Sequence, residues 1–171
     1  DVAWITTRER PWRRARRDAP VERGDLVAFA AGVIAGGYVG ELGRTRPVAG
    51  GAPIDRSLSK RWEELWDRLL AACRVGSPLT DLLDAYDATG VPPPPMPVAR
   101  GLGLGFDRPL VTHLLPRTAG EEHLEAGMVL ALTAYVGGEG HGALYGQEPL
   151  VVTATGPELL STTPFHETRS P

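Results

Sequence analysis

The sequence predicts an α+β domain. Apolar runs of strand length occupy both ends of the chain, two helical stretches sit together between them, and turn residues mark the joins. At 171 residues the chain suits one domain. A domain of about 150 residues hides roughly two-thirds of the surface its unfolded chain exposes, enough for a real core. The net charge of −3 is too small to draw nucleic acid or a membrane by itself. Cys73 is the single cysteine, so no internal disulfide framework or cysteine metal cluster is available. No apolar run reaches the ~18 residues of a membrane span. The opening Asp1-Val-Ala-Trp-Ile-Thr-Thr lacks the basic-then-apolar order of a signal peptide. A reducing cytoplasm is the expected compartment.

Residues 2–6 suit a short strand. Residues 8–23 carry seven arginines broken by Pro11 and Pro20, and predict a loop with at most a helical turn. Glu9, Asp18 and Glu22 partly balance that charge, and few aromatic residues are available for base stacking, so nucleic acid is not the expected partner. Leu26 to Gly32 reads as a buried strand after a Gly-Asp turn, and Val33 to Arg44 as its antiparallel partner. Residues 46–56 are a loop rich in Gly and Pro.

Leu58, Trp62, Leu65, Trp66, Leu69, Leu70 and Cys73 form one stripe at helical spacing, predicting a helix from Leu58 to Cys73. Ser57 is the expected N-cap and Gly76 the terminator. A second helix is expected from Thr80 to Ala88, capped near Thr80 or Asp81 and ended near Gly90. Pro92–Pro95 with Pro97 form an extended loop. Strands are expected at Leu110–Leu114, Gly127–Val136 and Ala143–Ala154, with a turn at Gly137–Gly140. A polar, frayed tail is expected over 161–171.

Four blocks carry a resemblance. The first is Gly24-Asp-Leu-Val-Ala-Phe-Ala30-Ala-Gly32 with Gly37-Tyr-Val-Gly-Glu41-Leu-Gly-Arg44-Thr45. The second is Gly101-Leu-Gly-Leu-Gly105 with Asp107-Arg-Pro109. Gly127-Met-Val-Leu-Ala-Leu-Thr133-Ala-Tyr135 is the third. Gln147-Glu-Pro-Leu-Val-Val-Thr153 with Gly156-Pro-Glu-Leu-Leu160 is the last. In order and spacing they resemble the creatinase, prolidase and methionine aminopeptidase family of pita-bread metallopeptidases. The resemblance implies curved antiparallel sheets covered by helices. The family usually has helices before the first strand of this domain, and these are absent from the chain. Residues 1–171 are therefore expected to be the catalytic-type domain, a C-terminal part of a longer protein, with a second copy or a partner segment supplying the missing N-terminal helices over apolar sheet surface.

The resemblance also places five metal-ligand positions, at Ala30, Glu41, Arg100, Thr133 and Gln147. Only Glu41 keeps a carboxylate. Alanine offers no donor and arginine is a fixed cation, so no metal or other cofactor is expected. Arg100 is expected to lie beside Glu41 and Gln147 in place of the ions. Tyr38, Glu41, Arg44, Arg100, Phe106, His141 and Gln147 are the candidate pocket residues, and catalytic residues are not assigned. His113 reads as a surface strand residue, His123 as part of an acidic loop and His166 as tail. The glycines at 101, 103 and 105 are expected to allow close packing under the pocket, and Cys73 to act as a small core residue.

Three functions stay open. One is a pseudo-enzyme holding a peptide, protein or small polar ligand in the cleft. Another is a metal-independent hydrolase or lyase acting on a small amide or carboxylate. The third is a structural subunit that completes a partner chain.

Overall fold

A computed structural model describes residues 2–6, 13–14, 20–49, 53–117, 122–138, 140 and 142–165. The expected turn at residue 139, and His141 and His166, lie outside the described residues, as does most of the arginine-rich segment. Strands β1 (Val2–Thr6) and β2 (Arg13–Arg14) open the chain, so part of the expected arginine loop is strand. β3 (Leu26–Ala35) and β4 (Tyr38–Pro47) form a hairpin. Helices α1 (Arg56–Ala72) and α2 (Thr80–Asp87) follow. Then come β5 (Ala99–Leu102), β6 (Phe106–Val111), β7 (Val129–Gly138), β8 (Gly142–Thr153) and β9 (Gly156–Leu159). They build one sheet in the order β2-β1-β3-β4-β8-β7-β5-β6, with β9 on β8. Every pairing is antiparallel.

Antiparallel partners share a face of the sheet, and side chains alternate faces along each strand. One face carries the helices. The apolar stripe of α1 is buried there through Leu58, Trp62, Leu65, Trp66 and Leu69, against Leu132, Ala134 and Leu144 among others. The Trp62 indole Nε1 donates to the Ala134 carbonyl at 3.1 Å. The α2 residue Tyr86 is fully buried; its hydroxyl donates to the Tyr135 carbonyl and accepts from the Tyr135 amide. Cys73 closes the stripe, and burial pushes its thiol up to about 12.

Several sequence expectations are corrected. The α1 cap is Asp55, whose Oδ1 accepts from the Ser57 and Leu58 amides at 2.8 and 3.1 Å; Ser57 lies inside the helix. Gly76 sits beyond Cys73 in a turn that needs its positive φ of 84°. α2 is capped by Leu79 with no side-chain bond, so neither Thr80 nor Asp81 caps it. The strand expected at Leu110–Leu114 ends at Val111 and starts earlier, and β5 was not expected at all.

Only Leu26 and Ala28 of the strand expected to be buried over Leu26–Gly32 are so. The ladder between β4 and β8 has one pairing, Gly43 with Gln147. The distal half of the hairpin therefore runs past the sheet as a two-stranded ribbon, leaving Val33, Ile34 and Tyr38 exposed. Part-way along it, the Val39 amide donates to the Gly103 carbonyl at 2.8 Å.

Candidate functional site

β4 crosses β8 where the hairpin leaves the sheet, and the face opposite the helices gathers polar side chains at that crossing. Register places Ala30 opposite Gly43, Gly43 opposite Gln147, Gln147 opposite Thr133, and Arg100 opposite Ala131 two residues along the same face. Glu41 shares that face, two residues from Gly43. The five positions singled out in sequence thus lie on the helix-free side of five different strands.

Arg100 forms an ion pair with Glu41 Oε1. Gln147 Nε2 donates to Glu41 Oε2 at 3.3 Å, and the Tyr145 hydroxyl donates to Gln147 Oε1 at 2.9 Å. A continuous polar chain therefore runs Tyr145, Gln147, Glu41, Arg100. Tyr145 lies flat over Gly43: a Cβ on that glycine would stand 2.3 Å from the Tyr145 ring. Only glycine at 43 leaves room for the ring. Tyr145, Gln147 and Thr133 are buried, whereas the Arg100 and Glu41 side chains keep 16% and 21% of their surface. The ion pair is the end of the network that a solute reaches first.

Burial holds the Arg100 guanidinium below the ordinary arginine value, with Tyr145 acting in the opposite sense. It remains a cation, because arginine does not lose its proton in proteins. Burial pushes the Tyr145 phenol well up, against the pull of Arg100 and Arg44, so the hydroxyl stays a donor.

Two candidate pocket residues fall elsewhere. Arg44 and Tyr38 are each three residues from Glu41, so the two-residue period turns both to the other face. Arg44 is fully buried there in an ion pair with Glu148. Tyr38 is exposed at the hairpin tip. Phe106 opens β6 opposite Leu102, and its side chain lies outside the described residues. His113 is no strand residue: it sits in the turn after β6, Nε2 3.0 Å from Asp87 Oδ1 and edge-on to Tyr86. His123 forms an isolated bridge with Pro78. Nothing lies within 4 Å of a Cβ built on Gly105, so close packing does not explain that glycine.

Sequence reasoning missed Tyr145 and Thr45. The Thr45 hydroxyl donates to the Tyr145 carbonyl and accepts from the Tyr145 amide, both at 2.9 Å. It stitches β4 to β8 where ladder bonds run out. Tyr145 was legible in principle, since two residues before Gln147 on a strand means the same face.

This sheet, with its helices on one side and polar cluster on the other, is the pita-bread fold. The chain is similar to an X-Pro aminopeptidase from Thermotoga maritima (TM-score 0.75, 17% identity), covering 96% of this chain and 47% of that one. A prolidase from Pyrococcus horikoshii matches likewise (TM-score 0.75, 20% identity, 96% and 48% covered). A methionine aminopeptidase from Thermotoga maritima matches at TM-score 0.70 and 16% identity, over 94% of this chain and 74% of that one. The chain spans about half the length of the first two. No curated protein matches it. Residues 3–154 match the model of metallopeptidase family M24, and the chain belongs to that family.

Proposed function

We propose that this chain is an M24 domain in which a polar network has replaced the dinuclear metal site. On this reading it binds a peptide, protein or small polar ligand in the cleft without cleaving it. The observation that carries the reading is the ion pair of Arg100 with Glu41. A divalent pair needs several hard anionic donors in fixed geometry. At the five relevant positions the donors are one carboxylate already paired with a guanidinium, a threonine hydroxyl and a carboxamide. Alanine contributes none. The Gln147 oxygen is engaged by Tyr145. This donor set does not fit the metals that the family implies, and Arg100 would repel them. Charge balance supports the same reading: Glu41 and Arg100 sum to zero among neutral residues, so the network needs no added ion.

A ligand for such a site offers hydrogen-bonding groups or a carboxylate to the half-open Arg100–Glu41 edge, where charge-assisted bonds are the strong ones. The exposed apolar tip of the hairpin supports a further part of the reading, that a second copy or a partner segment covers it. Elemental analysis of the purified protein for Mn, Co, Zn and Fe, with assays on Xaa-Pro dipeptides with and without added metal, tests the reading. Substoichiometric metal and no hydrolysis are expected. Stoichiometric metal or metal-dependent cleavage would overturn it.

A further inference from the structure

The helix-bearing face of the β4–β8 crossing holds a second site, and its occupant is the chain's own end. Thr163, Pro164 and Phe165, expected to fray, are docked. Arg44 Nη2 donates to the Thr163 carbonyl at 2.7 Å and Arg46 Nη2 to the Pro164 carbonyl at 2.8 Å, while Arg46 Nη1 donates to the Phe165 carbonyl. Two guanidinium groups thus hold three successive carbonyls. Trp62 and Trp66 stack on each other at 5.6 Å, and the Phe165 ring packs tilted into the notch along the side of that stack, 4.7 Å from each ring, with the Arg44 guanidinium 4.2 Å from its centre. Gly146 floors the notch: a Cβ there would stand 2.4 Å from Trp62 and 2.8 Å from Phe165. Aromatic walls, a cation over the ring and carbonyl-directed donors suit an extended Pro-aromatic peptide segment.

The same Arg44 closes the seam between the two strands. Its Nη1 donates to the Gly43 carbonyl at 2.7 Å on β4 and to the Gln147 carbonyl at 2.9 Å on β8, and Nη2 pairs with Glu148. Gly43 and Gln147 are the single ladder pairing of these strands, and the Gln147 side chain is the centre of the polar network on the far face. We propose that Thr163–Phe165 is a strap, read by the Arg44–Arg46–Trp62–Trp66 notch, whose docking fixes the β4–β8 seam and thereby positions Gln147 against Glu41. Arg44 and Phe165 are positioning residues in this scheme, and the coupling holds whatever the site binds.

The chain contains no asparagine and Gln147 is its only glutamine. The side-chain NH2 of Gln147 therefore gives the single carboxamide pair in a nitrogen-15 spectrum of the untagged full chain. Phe165→Ala should shift that pair along with the Trp62 and Trp66 indole signals, and raise exchange of the Gly43 and Gln147 amides roughly tenfold. Arg46→Ala leaves the ring in place and loosens only the carbonyl grip, so it should move the Gln147 pair in the same direction by less. Phe165→Tyr should keep the wild-type position. If the indole signals move in Phe165→Ala while the Gln147 pair and the two amides stay as in the wild type, the strap is an independent staple and the proposal fails. Should Phe165→Ala not fold, Arg46→Ala decides: a Gln147 pair left at its wild-type position overturns the coupling.

Discussion

Two arginine–carboxylate pairs sit back to back across β4. Glu41 and Arg44 both come from that strand; Arg44 pairs with Glu148 of β8, and Glu41 with Arg100 of β5. On the helix-bearing face Arg44 and Glu148 each keep 1% of their side-chain surface; on the other, Arg100 and Glu41 keep 16% and 21%. The inner pair is surrounded by carbonyls, tryptophans and the strap, and all that it does is hold chain to chain. The outer pair has an open edge. The alternation of side chains along β4 thus separates a structural charge pair from an available one.

Substitutions that treat the two pairs alike should give unlike results. Arg44→Ala leaves Glu148 charged and buried and releases the strap. It should cost about 3–5 kcal/mol in urea unfolding, the usual cost of breaking a buried pair from one side. A cost near that of a surface pair, roughly 0–1 kcal/mol, would show that the inner pair holds nothing together. Gly146→Ala should cost about 1–3 kcal/mol by driving a Cβ into Trp62 and Phe165, two rings fixed by packing. Arg100→Ala should cost less than Arg44→Ala, about 1–2 kcal/mol, because solvent still reaches Glu41. Equal costs would remove the distinction between the faces.

Cys73 sharpens the comparison through pH. Burial raises its thiol in the folded state from 9.0 to about 12. Below pH 9 both folded and unfolded thiols are protonated and the group makes no difference. From pH 9 towards 12 the unfolded chain ionises and the folded one does not. Stability therefore falls as pH rises, by up to about 1.4 kcal/mol per unit. Cys73→Ala should flatten that decline in unfolding measured from pH 8 to pH 11. An unchanged slope would mean the α1 stripe is not sealed. Gly43→Ala tests the other face in the way that Gly146→Ala tests the helix-bearing one. Its Cβ would stand 2.3 Å from the buried Tyr145 ring, which must shift and strain its bond to Gln147. Stability should fall by about 1–3 kcal/mol, and the Gln147 carboxamide signal should move with it.

What the sequence disclosed follows from local physics. The α1 stripe and the Gly-punctuated hairpin were legible because periodicity and turn chemistry act within a few residues. The four family blocks were legible because their spacing survives. β5 was hidden, since Arg100-Gly-Leu has few β-branched residues and its ladder slips between Arg100 and Gly101. The strap read as tail because its anchors, Arg44 and Arg46, lie about 119 residues away and grip carbonyls, which every residue has. Arg44 was misplaced by treating a motif as a patch, when an odd spacing on a strand sends neighbours to opposite faces. Tyr145 stayed unseen because the ring that covers Gly43 comes from β8, and only the β4–β8 crossing brings the two together.

The account rests on a polar network standing where the family's metal pair belongs, and Gln147 reports on it alone. Manganese(II) added to one and two equivalents gives the most direct test, because a paramagnetic ion bound at the crossing would erase the Gln147 carboxamide signal. The signal is predicted to persist at both additions. Its loss at the first equivalent, together with the amides around the crossing while those far from it persist, would contradict the account.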